Sequence, residues 1–223
     1  MSDLEIEGEC NSLVDGCFNV LAVGAHPDDI EFGCGGAIAK HLERGDRVFV
    51  LIMTNGERGN HSYNNQECLN ALEKLGIKRS DIIFGNFPDG YLKHDHKTVS
   101  FIEGYINKFN ISRVYTHYPN DRHQDHINCS RAVSSAARKI PELLLFQGPS
   151  TGDPFEPHYF VEVFDEHLEK KVDALNCYKT QIEKGILNLK LVEGIALIYG
   201  KKGDSKYAEA FALNHLFKKN KNV

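Results

Sequence analysis

Two short stretches rich in histidine and carboxylate could do chemistry in this chain: Ala25-His26-Pro27-Asp28-Asp29 and Asp121-Arg122-His123-Gln124-Asp125-His126. Neutral imidazole nitrogens and a carboxylate oxygen are what a zinc-type divalent ion takes in a site that keeps one position open for water. The two stretches together point to a metal-dependent hydrolase. His26 and Asp29 lie three residues apart, as do His123 and His126, a spacing that lets both members of a pair face the same way at the start of a helix. Our assignment puts the ion on His26, Asp29 and His126, with a water, its pKa lowered by the ion, in the open position. Asp28, beside a ligand but off the metal, is then a general base on that water. His123 would stabilise the oxyanion or protonate the leaving amine. Asp125, hydrogen bonded to His123, would fix that ring and raise its pKa. Spacing alone leaves the reverse allocation open, with Asp28 on the metal and Asp29 as a helix cap. Each stretch taken singly also has a plainer reading, as a capping aspartate or as solvated histidines.

Something must bring these stretches together across the chain, and the apolar pattern supplies it. Each follows a strand-like run, Val20–Val23 for the first and Arg113–His117 for the second. Further strands are expected at Arg47–Met53 and Asp81–Phe84. Helices are expected at Ile30–Arg44, Gln66–Leu75, Thr98–Phe109 and Gln124–Lys139. The near-continuous apolar character of Arg47–Met53 is that of a parallel strand covered on both faces. This alternation predicts an α/β, Rossmann-like three-layer fold with a mostly parallel twisted sheet. Such sheets bind ligands at the carboxyl ends of their strands, where strand order reverses, so the two loops converge if strands one and four are neighbours. After Pro141, strands are expected at Leu143–Phe146 and Tyr159–Phe164, and one long helix over Glu166–Lys184; from Leu189 onward the pattern is indistinct. Gly33-Cys34-Gly35-Gly36 lacks the spacing of a dinucleotide fingerprint and sits inside a helix, so close packing explains it better than phosphate binding. Phe155, Tyr159, Phe160 and Phe164 are expected mostly in the core, with a sugar-facing wall as the alternative.

The 223 residues suit one well-buried domain spanning 1–223, with 1–17 as an irregular leader. A hydrophobic share of 41% with 26% charged residues is ordinary for a soluble globular protein. A net charge of −5 argues against a nucleic-acid partner held by phosphate neutralisation. The six cysteines form no C-x-x-C pair, no apolar run reaches membrane-span length, and the acidic start is not a signal peptide. A cytoplasmic protein without an integral membrane segment is the expectation, and the sequence admits a homo-oligomer.

The His-Pro-Asp-Asp stretch and the downstream His123-Gln124-Asp125-His126 resemble the two motifs of the LmbE/PIG-L family of zinc-dependent N-deacetylases. Weaker agreement extends over most of the chain, through Thr54-Asn55-Gly56-Glu57, Glu67–Gly76, Phe87-Pro88-Asp89-Gly90-Tyr91-Leu92, Lys179-Thr180-Gln181 and Glu209-Ala210-Phe211. The resemblance implies a Rossmann-like fold and removal of acetate from an N-acetylglucosamine-like sugar or glycoconjugate. It implies metal on His26, Asp29 and His126, which settles the aspartate allocation, with Asp28 as base and His123 assisting. Zn2+ is the implied ion, and Fe2+ suits the same donors. Implied substrate contacts are Asp89 in the Pro-Asp-Gly loop, Asn64, which stands where many members carry an arginine, and Arg58 as a replacement for that arginine. Gln124 stands where proline is common and supplies no ligand. Two competing readings are an amidase for a larger amide conjugate and a non-catalytic sugar-binding protein, which the Rossmann-like architecture alone would allow.

Overall fold

The computed structural model describes residues 18–56 and 65–217. The leader at 1–17, Arg58, Asn64 and the basic tail at 218–221 lie outside the described residues. A seven-stranded sheet with spatial order β3-β2-β1-β4-β5-β7-β6 runs through the molecule. Its strands are β1 (Asn19–Gly24), β2 (Arg47–Thr54), β3 (Ile82–Phe87), β4 (Arg113–His117), β5 (Glu142–Phe146), β6 (Tyr159–Val163) and β7 (Tyr207–Leu216). The first five pair in parallel, while β7 runs antiparallel to both β5 and β6. Helices α1 (Asp29–Glu43), α2 (Asn65–Leu75) and α5 (Asp165–Leu175) pack together on one face, and α3 (His96–Lys108) packs with α4 (Gln124–Ala136) on the other.

The period of two along each strand builds the two cores. Val20 and Ala22 of β1, with Val48, Val50 and Ile52 of β2, join one apolar cluster. Leu21, Val23, Phe49, Leu51 and Met53 join the cluster on the opposite face. A strand buried on both sides therefore reads as an unbroken apolar run. Strand order reverses at β1, which pairs with β2 on one side and β4 on the other. The loops after β1 and β4 leave this switch point side by side, as a doubly wound sheet requires.

Two features differ from the periodicity. The expected helix over 166–184 is broken into α5 and a short α6 (Lys179–Glu183), because Tyr178 leaves the helical region at φ −85°, ψ 64°. Its buried ring reaches the β1–α1 loop, a tertiary contact that outweighs local propensity. The indistinct C-terminal stretch forms α7 (Leu189–Lys202), which packs on β7. Helix α1 itself kinks at Cys34 (φ −147°). The kink leaves two N–H groups to be satisfied from elsewhere: Gly36 N donates to Glu209 Oε1 at 2.9 Å and Ala37 N to Oε2 at 2.7 Å. Glu209, on β7, thus caps the second half of α1, and Lys171 Nζ of α5 neutralises it at 2.5 Å. The glycine run makes this approach feasible. A Cβ on Gly33 would stand 2.2 Å from Phe146 of β5, and one on Gly36 3.2 Å from the Glu209 carboxylate.

Candidate metal centre and active site

The β1–α1 loop is pinned on both sides: Thr54 of β2 donates N–H and hydroxyl bonds to Ala25 O (2.8 and 2.9 Å), and Thr116 Oγ1 of β4 donates to Val23 O (3.1 Å). The β4–α4 loop is stitched to the β5 loop by Arg122 N to Ser150 O (3.0 Å) and Gly152 N to Asn120 O (2.9 Å). These two rigid loops bring His26, Asp28, Asp29, His123 and His126 to one cleft of about 460 Å³, with Asp89 and Gly90 on its wall. That is the volume range of small-molecule sites.

At the base of the cleft, His26 Nδ1 lies 3.2 Å from His126 Nε2 and 3.5 Å from Asp29 Oδ2, and His126 Nε2 lies 3.3 Å from Asp29 Oδ1. The far nitrogens of both rings face carboxylates: His26 Nε2 meets Asp89 Oδ1 (3.2 Å) and Asp125 Oδ2 (3.3 Å), and His126 Nδ1 meets Asp121 Oδ1 (3.2 Å). Each ring's proton is therefore drawn outward, and two lone pairs and a carboxylate are left converging on one point. Such a set suits a shared cation. Tetrahedral bonds of 2.0–2.1 Å put ligand atoms about 3.3–3.4 Å apart, close to the observed separations. Carboxylates that orient ligating histidines through their outer nitrogens are the usual support of such sites.

The electrostatics agree. Burial works against charge on both rings, yet Asp125, Asp29 and Asp89 hold His26 well above its ordinary pKa. Asp29 and Asp121 likewise lift His126 to about 9. Burial would raise Asp29, but His126 and His117 hold its carboxylate well below the usual range. The field at this point favours positive charge.

Asp28 does not cap α1. It sits in the left-handed region (φ 86°, ψ −25°), and its side chain makes no capping bond. Its N–H donates to Tyr178 Oη at 3.1 Å, and Tyr178 donates to the buried Glu31 at 2.7 Å. Burial, then the charges of Asp29 and Glu31, raise the Asp28 carboxyl. Glu31 is itself pushed up by burial to about 7. His123 is the N-cap of α4, its Nδ1 accepting from Asp125 N at 3.2 Å. A neutral ring with Nδ1 so engaged carries its proton on Nε2.

Two expectations for Asp125 and His123 need correction. The Asp125 carboxylate does not bond to His123. Its buried oxygens accept from Gly90 N (2.6 Å) and Leu92 N (3.0 Å), tying the Pro-Asp-Gly loop to α4, and one of them faces His26. The His123 pKa falls rather than rises, through burial and the adjacent His26 and His126. Phe155, Tyr159, Phe160 and Phe164 do not line the cleft, and the expectation that most are in the core also fails: Phe155 and Tyr159 are half-buried, and Phe160 and Phe164 are exposed.

Several supporting residues had no role assigned from the sequence. Asp121 and Ser150 Oγ (3.2 Å) hold His126 Nδ1. His117 stacks on His126 at 4.2 Å and places Nε2 3.1 Å from Asp29 Oδ2, while burial drives its pKa down to about 4. Asp121 opens the histidine-rich stretch that marked the site and His117 ends the strand before it, so their nearness was a usable signal; Tyr178 and Glu31 had none. A separate grouping of Glu43, Glu166 and His167 is occupied by local structure. There His167 Nδ1 accepts from Phe164 N (3.1 Å), and Nε2 gives its proton to Glu43 (2.8 Å).

The family model for PIG-L, GlcNAc-PI de-N-acetylase, matches residues 21–137. The chain is 36% identical over 170 residues to the uncharacterised deacetylase YaiS of Escherichia coli strain K12, covering 72% of this chain and 90% of that one. It is 29% identical over 193 residues to a probable N-acetyl-alpha-D-glucosaminyl L-malate deacetylase 2 of Bacillus cereus, covering 74% and 84%. Among solved structures, GalB, the 4-carboxy-2-hydroxymuconate hydratase of Pseudomonas putida KT2440, superposes with a TM-score of 0.78 at 21% identity, covering 92% and 99%. That last likeness concerns the fold alone, which evidently hosts more than one chemistry.

Proposed function

We propose that this chain, which belongs to the LmbE/PIG-L family of deacetylases, is a metal-dependent hydrolase that removes the acetyl group from an N-acetylglucosamine-like amino sugar or its conjugate. The observation that carries the reading is the triangle of His26 Nδ1, His126 Nε2 and the Asp29 carboxylate, with edges of 3.2 to 3.5 Å, on the floor of a cleft that Asp28 and His123 also line. A divalent ion of the zinc or ferrous type, held by those three side chains, would polarise the acetamide carbonyl and activate a water.

The remaining roles follow from this chain's own atoms. Asp28, not used as a helix cap, accepts the proton of the attacking water; burial raises its proton affinity, which suits a base working near neutrality. The same carboxyl can hand that proton to the departing nitrogen, so that amide plus water becomes acetate plus amine. His123, with Nδ1 taken by the Asp125 N–H, donates from Nε2 to the carbonyl oxygen as charge develops there. Asp121, Asp125 and Asp89 fix the ring orientations of His126 and His26.

The test is primary-amine release from N-acetylglucosamine conjugates by zinc-loaded protein, with Asp28→Asn and His126→Ala alongside. Asp28→Asn should keep its metal and lose most turnover, typically 10²- to 10⁴-fold for a general base. His126→Ala should lose metal by elemental analysis. Full turnover in metal-replete Asp28→Asn removes Asp28 from the base role, and unchanged metal content in His126→Ala sinks the ligand set. Zinc bound without amine release from any conjugate would favour a sugar-binding protein or an amidase for a larger amide.

A further inference from the structure

We propose that Gln181 is a substrate-recognition residue whose side-chain amide pairs with neutral polar groups of the sugar beside the acetamide, an inference that rests on the amino-sugar reading above. Gln181 lies on α6, lines the same cleft as His26, Asp28 and His126, and is 1% exposed. Among the described residues, neither its buried Nε2 nor its buried Oε1 has a hydrogen-bond partner. Ser150 and Asp121 are engaged with His126 and each other, and Tyr178 with Asp28 and Glu31. Glu31 Oε2 and His117 Nδ1 are single buried atoms that also lack a partner among the described residues, whereas Gln181 lacks one at both ends. A native fold rarely leaves both ends of a buried amide unpaired, and each such case calls for an explanation.

The backbone beneath Gln181 is fixed. Its N–H donates to Tyr178 O (3.1 Å), and its carbonyl accepts from Ile186 N (3.0 Å) and Leu187 N (3.2 Å). The side chain is therefore rooted in a tight turn, and its buried amide would meet a ligand in the cleft through a small opening of the cleft wall. A primary amide offers a donor and an acceptor side by side and carries no charge. Those properties match a sugar hydroxyl, which both gives and accepts, or the N–H of the acetamide. They do not favour an anionic group, which would seek charged donors. Ile186, beside Gln181 in the cleft and 54% exposed, adds an apolar surface against which a pyranose face can pack.

The experiment compares the zinc-loaded protein with Gln181→Met, which keeps length and volume but removes both polar atoms. N-acetylglucosamine binding is titrated by NMR in an Asp28→Asn background, amine release is followed in the wild-type background, and thermal unfolding is recorded for each protein. Gln181→Met should weaken sugar binding and raise KM about tenfold, the loss of one to two neutral hydrogen bonds. Its kcat should change less, and its melting temperature should stay level or rise, since an unpaired buried amide has been removed. A lower melting temperature with unchanged binding would overturn the proposal by revealing an internal role for the amide. Sugar binding that depends on Gln181 without any amine release would uphold the proposal and defeat the hydrolase reading. Amine release with binding indifferent to Gln181 would do the reverse, and absence of binding altogether would overturn both.

Discussion

Replacing Lys171 with methionine tests how α1 is held beyond its kink. Lys171 Nζ lies 2.5 Å from Glu209 Oε1, and the two residues are each 6% exposed. The carboxylate also accepts the N–H groups of Gly36 and Ala37, where α1 restarts after its kink. Lys171→Met would fill similar volume but leave a buried carboxylate with only those two neutral donors. Removing one partner of a buried pair costs about 3–5 kcal/mol, mostly the penalty of the charge left behind. At roughly 2–4 °C per kcal/mol for a domain of this size, the melting temperature should fall by about 6–20 °C. Adding Glu209→Gln removes the stranded charge while retaining one acceptor for the helix, so the double variant should be more stable than Lys171→Met alone. The remaining loss should be about 1 kcal/mol, for the capping bond that the amide cannot accept. Urea unfolding of all four proteins closes the cycle. A Lys171→Met penalty below about 1 kcal/mol, the range of solvated pairs, would refute the view that this pair is buried and holds the kink. So would a double variant less stable than the single.

Three further outcomes follow from single contacts. Tyr178→Phe removes the hydroxyl between the Asp28 N–H and Glu31; it should cost about 1–3 kcal/mol of stability and lower kcat with metal content unchanged, and normal kcat would separate Tyr178 from Asp28 positioning. Gly33→Ala should destabilise by about 1–3 kcal/mol because its Cβ meets Phe146 at 2.2 Å, whereas helix propensity alone predicts a gain of about 1 kcal/mol; the sign of the shift in a denaturant midpoint decides. His41 is buried and neutral, with its pKa lowered first by burial; its Nδ1 faces Asp46 at 2.5 Å and its Nε2 faces the Tyr115 hydroxyl at 2.9 Å. The unfolded chain then takes up the proton first, so this stability is full above about pH 6.5 and declines as pH falls toward the depressed folded value. The difference in unfolding free energy between wild type and His41→Gln, measured from about pH 7.5 to 5, isolates this contribution from the raised groups Glu31, His26 and His126, and should shift against the wild type as pH falls; a difference that stays constant would remove His41 from the acid limb.

The sequence revealed the floor of the site because its three donors sit in two local stretches, each directly after a parallel strand, and topology does the rest. Once β1 and β4 pair, the loops that follow them have nowhere else to go. The support around those donors was less visible, and Asp125 shows why. Two residues from His123, it invites a local pairing, yet at the start of α4 its carboxylate points to the 90–92 loop and its backbone N–H, not its side chain, meets His123. Tyr178 is harder still. Helical periodicity runs straight through it, and only a hydrogen bond to a residue 150 positions away accounts for the break between α5 and α6. The same holds for Glu209, a carboxylate on a strand whose purpose emerges only from the kink in a helix at the other end of the chain.

Asp28 joins these strands of reasoning. A non-glycine residue at φ 86° is costly, by about 1–2 kcal/mol, and such strain persists only where the surroundings enforce it. Here the enforcement is visible: Asp29 Oδ2 accepts the His26 N–H at 2.6 Å on one side, and Tyr178 accepts the Asp28 N–H on the other. Glycine would take this conformation freely. Helix capping does not explain the aspartate, since the carboxylate makes no capping bond. Strain borne for a side chain without a structural task, on the wall of a cleft floored by metal-type donors, is what a positioned base requires. On the proposed reading the Tyr178–Glu31 pair would be a positioning device: Tyr178 holds the backbone N–H of Asp28 and is itself held by Glu31, a buried carboxyl whose pKa is raised to about 7 by burial.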